Sequence, residues 1–310
     1  MLAAGDGSRL MRLTTALHGS PIPKQFAAFS ADRRSMLQLS MDLVTRLLPD
    51  ERTVVVVPAS SSELAEEHLV GFPRALRVVE PKNRGTSASL LLPLAVLLER
   101  DPDADLVVVP AAQVVKDPEA LLAGISDART ALDAAPVTLL GVAASSTRPD
   151  RYWIVPGRQI ANGIRSIADF VAGPREPFAR QLMEKHALWD THFVVAEAST
   201  LWRVAERHLP ARASVLRAAA AEHSEATLRA AYESLEPSDF AQDVLGRQLG
   251  VAVSDVTPSG FAHIATVEDV LRAFPGIRDR CAVPHDELAR EAPRATSVTP
   301  ARSSSAATPA

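Results

Sequence analysis

Thr53-Val54-Val55-Val56-Val57 is a short run dominated by β-branched residues, and similar apolar runs follow at residues 75–79, 105–109 and 137–142. The segments between these runs, 61–69, 86–100 and 117–132, have the length and the apolar periodicity of helices. Continuous apolar strands that alternate with helices are typical of a parallel sheet buried on both faces. Residues 53–142 therefore predict an α/β fold with a doubly wound, mostly parallel sheet.

The pattern becomes mixed after residue 150. Short apolar runs at 151–155, 165–171 and 189–195 precede an alanine-rich helical region at 196–232, a strand at 251–256 and a helix at 267–274. This order predicts an α+β excursion over the carboxyl edge of the sheet, within one domain of residues 1–282. Residues 283–310 are rich in Pro, Ser, Ala and Thr, and their lack of large apolar side chains predicts a disordered tail.

The charge balance gives no reason to expect a nucleic-acid or membrane partner. The 310 residues include 33 basic and 37 acidic ones, so a formal charge of −4 creates no global attracting field. The longest apolar run, residues 90–98, is too short to cross a bilayer, and the first residues lack the regions of a secretory signal. The single cysteine, Cys281, cannot form an internal disulfide, which favours a reducing compartment. We therefore expect a soluble cytoplasmic protein, and the sequence leaves its oligomeric state open.

Two segments near the amino terminus are suited to binding phosphate. Residues 2–10 read Leu-Ala-Ala-Gly-Asp-Gly-Ser-Arg-Leu, so that Gly5, Asp6, Gly7 and Ser8 form a short loop before Arg9. Glycines let main-chain N–H groups approach a phosphate, and an arginine can bond its oxygens in a bidentate way. Residues 21–26, Pro-Ile-Pro-Lys-Gln-Phe, then place Lys24 beside a rigid turn. An ordinary turn and a solvated loop lysine are the alternative interpretation.

These two segments resemble the signature loop and the catalytic lysine of the mannose-1-phosphate guanylyltransferase family of sugar-phosphate nucleotidyltransferases. The resemblance implies a Rossmann-like, glycosyltransferase-A-like fold, with Gly5, Asp6, Gly7 and Ser8 around the nucleotide phosphates. It also implies that Arg9 and Lys24 are catalytic and stabilise charge on the transferring phosphorus and the leaving pyrophosphate. The implied substrates are GTP and mannose 1-phosphate, and the implied products are GDP-mannose and pyrophosphate.

Further stretches resemble the family in the same order along the chain. Residues 80–86 look like the segment that contacts the guanine base and ribose, which implies nucleotide-binding roles for Glu80, Asn83, Arg84, Gly85 and Thr86. A strand-to-helix turn capped by Asn83 or Thr86 is the alternative. Residues 187–191 resemble the family's sugar-contacting loop, which makes Trp189 and Asp190 candidate sugar-binding residues. Residues 238–245 and 260–266 resemble two later family segments.

The residues expected to hold a metal are replaced. The resemblance implies a magnesium ion held by two aspartates, because two anions must approach each other during nucleotidyl transfer. Ala112 stands at the first of these positions and His263 at the second, and imidazole is a poor ligand for a hard cation. No metal ligand is therefore predicted. Three other acids stay open as alternative ligands, although such residues more often cap helices or occupy surface positions and turns: Asp239, Asp243 and Asp255.

Other departures concern the sugar phosphate and the first strand. Residues 170–174, Phe-Val-Ala-Gly-Pro, lack the Glu-Lys pair that the family has before the proline, and a family glycine is replaced within residues 150–153. Four residues precede the glycine loop where the family has several more apolar ones, so we expect a truncated first strand or a start upstream of Met1. Four dispersed histidines are expected to be solvated or to cap helices: His186, His192, His208 and His223.

Three interpretations are open at this point. The first is an enzyme similar to the guanylyltransferases, and the second is a catalytically impaired homologue that binds a nucleotide sugar or has a regulatory role. The third is a gene product that is losing its function. The identities of base and sugar depend on the resemblance, so uridylyl, thymidylyl and adenylyl transfer also stay open.

Overall fold

Strands and helices alternate along the first half of the chain in the computed structural model, which describes residues 1–280. The predicted tail at 283–310 and Cys281 lie outside the described residues. The strands are β1 (Val54–Pro58), β2 (Leu76–Glu80), β3 (Asp105–Val108), β4 (Gln113–Val114), β5 (Val137–Ala143), β6 (Tyr152–Ala161), β7 (Ile164–Ala172), β8 (Leu188–Glu197), β9 (Ala252–Asp255) and β10 (Ala262–His263).

The helices connect these strands and cover the faces of the sheet. They are α1 (Met11–His18), α2 (Met36–Thr45), α3 (Ser62–His68), α4 (Thr86–Arg100), α5 (Pro118–Thr130), α6 (Glu176–Glu184), α7 (Ala198–His208), α8 (Pro210–Ala221), α9 (Glu225–Ser234), α10 (Phe240–Asp243) and α11 (Val267–Ala273). Short 3₁₀ turns occupy Ser8–Leu10, Lys24–Phe26, Asp50–Arg52, Ala59–Ser61, Leu245–Arg247, Thr257–Ser259 and Pro275–Arg280.

The predicted α/β class is confirmed, but the prediction of a mostly parallel sheet is wrong for the six-stranded main sheet, where β5 and β9 are the one parallel pair among the described residues. Strands β1 and β2 pair in parallel, as do β5 and β9, whereas β8 runs antiparallel to both β3 and β5. The main sheet has the order β3-β8-β5-β9-β7-β6. Antiparallel β6 and β7 form the hairpin of the predicted α+β excursion, and β6 also pairs with the start of β8.

Residues 1–3 join the two parts of the sheet. Leu2 forms parallel bridges to Val56 in β1 and to Pro110 just after β3. Its N–H donates to the carbonyl oxygen of Val109 at 2.8 Å, and the N–H of Ala3 donates to Val56 at 2.9 Å. Because these strands are parallel, the glycine loop and the segment after β3 emerge at the same edge of the sheet.

The core has two layers, one on each face of the sheet. Leu139 contributes to the layer under α4, α7 and α8, and Leu140 contributes to the layer under α2 and α5. This alternation follows from the opposite orientation of successive side chains in a strand. Within residues 1–280 no helix is long and apolar enough to cross a membrane.

Candidate functional site

The glycine loop lies against the segment that carries Lys24. Gly7 has a φ of 65°, and a Cβ added there would lie 2.6 Å from the main-chain nitrogen of Lys24. Gln25 Nε2 donates to the carbonyl oxygens of Ala3 at 2.8 Å and Gly5 at 2.7 Å. A glycine is therefore required at position 7, and the two predicted phosphate-binding segments are held together by direct contacts.

The open side of this loop is accessible. A Cβ added at Gly5 would meet no atom within 4 Å, and Gly5, Asp6, Ser8 and Arg9 are exposed. Asp6 Oδ1 accepts a hydrogen bond from the N–H of Ser8 at 3.2 Å. The loop thus leaves space on one side for a ligand to approach its main chain.

Lys24 connects the loop to the segment after β10. Its Nζ donates to the carbonyl oxygen of Ile264 at 2.6 Å. Burial, and then the positive charges of Arg151 and Arg9, lower the pKa of Lys24 to about 8. The two predicted catalytic cations, Arg9 and Lys24, are thus within electrostatic range of each other and of a third, Arg151.

The two positions expected to hold metal ligands offer none suited to magnesium. Ala112 is buried among apolar side chains that include Leu10 and Ile264. Burial, followed by the charges of Lys24 and Arg151, lowers the pKa of the His263 imidazole well below its usual range. Magnesium prefers oxygen ligands, and no cluster of three His, Cys, Asp or Glu residues suited to a metal occurs within residues 1–280. The residues present therefore do not fit the expected ion.

The acids nearby in sequence have the structural roles that the sequence predicted for them. Asp239 Oδ1 accepts from the N–H of Gln242 at 3.0 Å and caps α10. Asp243 Oδ2 accepts from Ser238 Oγ at 2.7 Å, and Asp255 Oδ1 accepts from the N–H of Thr257 at 2.9 Å. These contacts place the three carboxylates in caps and turns.

Two arginines and two carboxylates form an ion-pair cluster beside His263. Arg148 binds Asp150 through two hydrogen bonds of 2.8 Å and reaches Asp269 Oδ1 with Nη1 at 3.0 Å. Arg151 Nη2 lies 3.5 Å from Asp269 Oδ2 and donates to the main-chain oxygen of His263 at 3.4 Å. The cluster ties the turn before β6 to the segment after β10.

A bulge in β8 presents a histidine to the same region. The pairing of β5 with β8 shifts register between Leu139 and Gly141, and His192 has a φ of 64° in the opposing part of β8. Asp190 Oδ2 lies 3.2 Å from His192 Nδ1, and the His192 and His263 rings are 5.5 Å apart. Burial lowers the pKa of His192, but the Asp190 carboxylate outweighs it and the net shift is upward.

The sequence predicts that His192 is solvated or caps a helix, and its side chain is 38% exposed but also contacts residues of the site. Its side chain is half-buried between Asp190 and His263, and the edge of its ring faces Tyr152 at 6.0 Å. Its role depends on the β-bulge, because the bulge reorients the side chain toward the site. Neither composition nor periodicity predicts a histidine with a left-handed backbone conformation within a strand.

A cavity of about 250 Å³ adjoins these residues. The predicted sugar-binding residues Trp189 and Asp190 both line it, together with Arg148, Arg151 and His263. The Arg151 guanidinium carbon lies 5.9 Å from the centre of the Trp189 ring. Gly5, Gly7 and Lys24 are not part of this lining, so the phosphate loop and the cavity are separate features that Arg151 and His263 connect.

The polar groups of the predicted base-binding segment form hydrogen bonds within the protein. Asn83 Oδ1 accepts from the N–H of Gly85 at 2.9 Å, and Arg84 Nε donates to the carbonyl oxygen of Tyr232 at 2.7 Å. Thr86 Oγ1 accepts from the N–H of Phe240 at 2.8 Å, and a Cβ at Gly85 would lie 2.2 Å from the carbonyl oxygen of Ser238. The start of α4 is therefore packed against residues 238–243, and the nucleotide-binding roles remain predictions.

Glu80 is the most deeply buried member of that segment. Its side chain is 1% exposed and accepts a hydrogen bond from Ser89 Oγ at 2.8 Å. Burial raises its pKa to about 7. The neutral and ionised forms are therefore both populated near neutral pH, and the burial of the group indicates a structural role beneath the segment.

The sequence prediction missed Arg151 as a site residue. The available signal was the charged residue at a turn where the resemblance expects a glycine, within residues 150–153. Its neighbours in space are distant along the chain, because His263 is 112 residues from Arg151 and Asp269 is farther still. Local patterns could not place such partners together.

Sequence comparison finds relatives that are 23–26% identical to this chain. A putative mannose-1-phosphate guanylyltransferase from Vibrio cholerae is 26% identical over 213 residues, which are 68% of this chain and 45% of that protein. The alginate biosynthesis protein AlgA of Pseudomonas aeruginosa is 23% identical over 219 residues, which are 67% of this chain and 43% of that protein. No family model matches the sequence.

These matches support a divergent member of the mannose-1-phosphate guanylyltransferase family. The chain spans less than half the length of the two relatives described above. The structure described as a mannose-1-phosphate geranyltransferase from Thermus thermophilus matches this chain with a TM-score of 0.72 and 23% identity. The match covers 82% of this chain and 72% of that one, and at this identity it supports the fold alone.

A second solved structure extends the likeness of the fold. Apo-UDP-glucose pyrophosphorylase matches with a TM-score of 0.56 at 12% identity, over 90% of this chain and 97% of that one. That pyrophosphorylase and this chain thus share a sheet and helix arrangement.

Proposed function

We propose that the chain transfers a guanylyl group from GTP to mannose 1-phosphate, giving GDP-mannose and pyrophosphate. The observation that carries the proposal is the contact between Gly7 and the Lys24 segment, with the 2.6 Å approach that excludes any side chain at position 7. This contact holds an exposed glycine loop beside an ammonium group. The relationship to the guanylyltransferase family supports GTP and mannose 1-phosphate as the substrates.

The geometry suggests how each group acts in this reaction. The main-chain N–H groups of residues 5–8 bind phosphate oxygens, and the exposed guanidinium of Arg9 neutralises the β- and γ-phosphates. A phosphate oxygen of the sugar attacks the α-phosphorus, and the bond to the bridging oxygen breaks as pyrophosphate leaves with the electron pair. Lys24 stabilises the negative charge that develops on the phosphoryl oxygens.

The sugar has a separate place in this proposal. Trp189 and Asp190 line the cavity of about 250 Å³, so an indole face is available to a pyranose ring, whereas the Asp190 carboxylate is 1% exposed and engaged with His192. His263 and Arg151 lie between this cavity and Lys24, as the contacts of Arg151 with His263 and the influence of its charge on Lys24 indicate. A sugar in the cavity would thus direct its phosphate toward the loop.

The test is turnover with defined substrates. The purified chain is incubated with GTP and mannose 1-phosphate, and released pyrophosphate and GDP-mannose are measured by an enzyme-coupled assay and by chromatography. We expect both products with GTP, smaller amounts with UTP or ATP, and loss of product in Lys24→Met. Equal product from wild type and Lys24→Met, or none from either, would count against transfer by this site.

A second candidate function is binding of a nucleotide sugar without transfer. Ala112 and His263 favour it, because the two positions offer no oxygen ligand for the ion that nucleotidyl transfer commonly uses. The expected result is a raised melting temperature with GDP-mannose or GTP, together with no pyrophosphate release. Stabilisation with turnover supports the first proposal, and neither effect would argue against both.

A further inference from the structure

Positive charge accumulates where the family resemblance leads one to expect carboxylates. Lys24 is influenced by the positive charges of Arg151 and Arg9, and by the negative charges of Asp269 and Asp6. The charges of Lys24 and Arg151 act in turn on His263. Lys24 and Arg151 are therefore two cationic groups close to His263, in a region that also holds the carboxylates of Asp269 and Asp150.

Arg151 is a preorganised cation in this region. Its side chain is 9% exposed, and its Nη2 is held by the main-chain oxygen of His263 at 3.4 Å and by Asp269 at 3.5 Å. The Trp189 ring lies on another side at 5.9 Å. Arg151 Nε is buried and has no hydrogen-bond partner within residues 1–280. An unpaired buried donor on a charged group is costly, which points to a missing acceptor.

Asp269 cannot neutralise this arginine alone. Its carboxylate also accepts from Arg148 Nη1 at 3.0 Å and from the N–H groups of Ala265 at 3.1 Å and Thr266 at 3.0 Å. The shorter contact to Arg148 indicates that Asp269 pairs more closely with that residue. Lys24 has only a neutral carbonyl oxygen as its hydrogen-bond partner among the contacts described for residues 1–280.

A second orphaned group lies across the β4–β10 ladder. Gln113 is opposite His263 in register, is 4% exposed, and neither its amide nitrogen nor its amide oxygen has a hydrogen-bond partner within residues 1–280. Nδ1 of His263 is also buried without a partner in that range. Buried polar atoms without a partner thus occur on Arg151, on His263 and on Gln113, the residue that pairs with His263.

We infer that Arg151 and Lys24 together hold a phosphate group beside His263 without a divalent cation. The inference deepens the proposed function and rests on it for the identity of the ligand, a phosphorylated sugar or a nucleoside phosphate. Two cations within a partly desolvated site bind phosphate oxygens through charge-assisted hydrogen bonds. The Arg151 guanidinium supplies the positive charge that a metal ion held by the two absent carboxylates would otherwise bring to the phosphate.

The test is calorimetric titration of the whole chain with inorganic pyrophosphate and with GTP, each in excess EDTA and again with magnesium. We expect pyrophosphate to bind in EDTA with an affinity within about threefold of that in magnesium. Arg151→Gln should weaken binding in EDTA by at least about tenfold, and Arg151→Lys by less, because about 1.4 kcal/mol corresponds to a tenfold change. Arg165→Gln, an exposed arginine on strand β7, is the matched control and should bind like wild type.

The outcomes separate this inference from the proposed function. Binding of GTP or pyrophosphate that requires magnesium would overturn the inference and leave the proposed function intact. Unchanged binding in a folded Arg151→Gln protein would also overturn it. The wild-type comparison in EDTA and magnesium needs no variant, so it decides the case even if Arg151→Gln does not fold. Absence of binding under every condition would contradict both proposals.

Discussion

Lys24 and Ile264 are joined by a hydrogen bond of 2.6 Å from Nζ to the main-chain oxygen, although 240 residues separate them in the sequence. The bond connects the amino-terminal loop region with the segment that follows His263. One lysine thus contacts both regions that the family resemblance assigns to the reaction.

Gly7 and Gly5 should respond differently to the same substitution. Gly7→Ala forces a left-handed alanine and a 2.6 Å contact with Lys24, so we expect the free energy of unfolding to fall by at least about 1 kcal/mol. Gly5→Ala meets no atom within 4 Å, so it should leave stability unchanged but weaken GTP binding by crowding the loop. Denaturant unfolding and GTP titration of both variants check this. Equal free energies of unfolding for the two variants would contradict the close contact between position 7 and Lys24.

The lowered pKa of Lys24 predicts a pH dependence of anion binding. Its pKa is lowered from 10.5 to about 8, so the free protein loses this charge as pH rises through 8. GTP affinity should therefore fall between about pH 7 and pH 9.5 in wild type, and it should fall less in Lys24→Arg, because arginine stays charged. Titrations at a series of pH values measure it. The same change of GTP affinity with pH in both proteins would exclude Lys24 as the source of the pH dependence.

The same lysine has the opposite effect on stability. The unfolded chain keeps the proton up to about pH 10.5, whereas the folded chain releases it near pH 8. The unfolded state then binds more protons between these values, so the contribution of Lys24 to the free energy of unfolding rises with pH in this window. Denaturant unfolding of wild type and Lys24→Met at about pH 7 and at about pH 9.5 checks this. The difference between their free energies of unfolding should be smaller at the higher pH.

Glu80 should make the fold less stable as pH rises. Burial raises its pKa from 4.5 to about 7, so the stability it contributes is complete below pH 4.5 and is lost as pH rises through 7. Glu80→Gln keeps an acceptor for Ser89 and removes the ionisation. We expect it to be more stable than wild type at about pH 8 by roughly 1–3 kcal/mol, and similar to wild type at about pH 4.5. A difference that does not change with pH would rule out this explanation.

Restoring the two carboxylates tests whether the loop and cavity are otherwise intact. The double variant Ala112→Asp with His263→Asp offers oxygen ligands to magnesium, whose charge stabilisation is worth several kcal/mol in catalysis. We expect magnesium-dependent pyrophosphate release to rise by orders of magnitude over wild type, with a thermal melt to show that the variant folds. No gain in a folded variant would mean that the phosphate and sugar contacts are also lost.

The elements between residues 53 and 142 were predictable because they depend on local patterns. Helix α4 occurs at Thr86–Arg100 as predicted, and the four predicted strands end within one residue of β1, β2, β3 and β5. The short strands β4 and β10 were not predicted, since two residues carry no periodicity and form only through their long-range pairing. The antiparallel direction of β8 also depends on the chain path and not on its composition.

The candidate site was predictable only in part, for a similar reason. The glycine loop and Lys24 are close in sequence, and the structure brings them into contact. The packing of Gly85 against Ser238 and the link between Arg151 and His263 join distant segments. Family resemblance gave positions for missing acids, but it could not show which cations surround those positions.

The most direct test of the central claim is a crystal structure of the protein grown or soaked with GTP. The account predicts phosphate oxygens within hydrogen-bond distance of main-chain N–H groups in residues 5–8, with Arg9 and Lys24 on the same phosphates. A triphosphate bound elsewhere on the protein, or a loop that stays empty at saturating GTP, would contradict it.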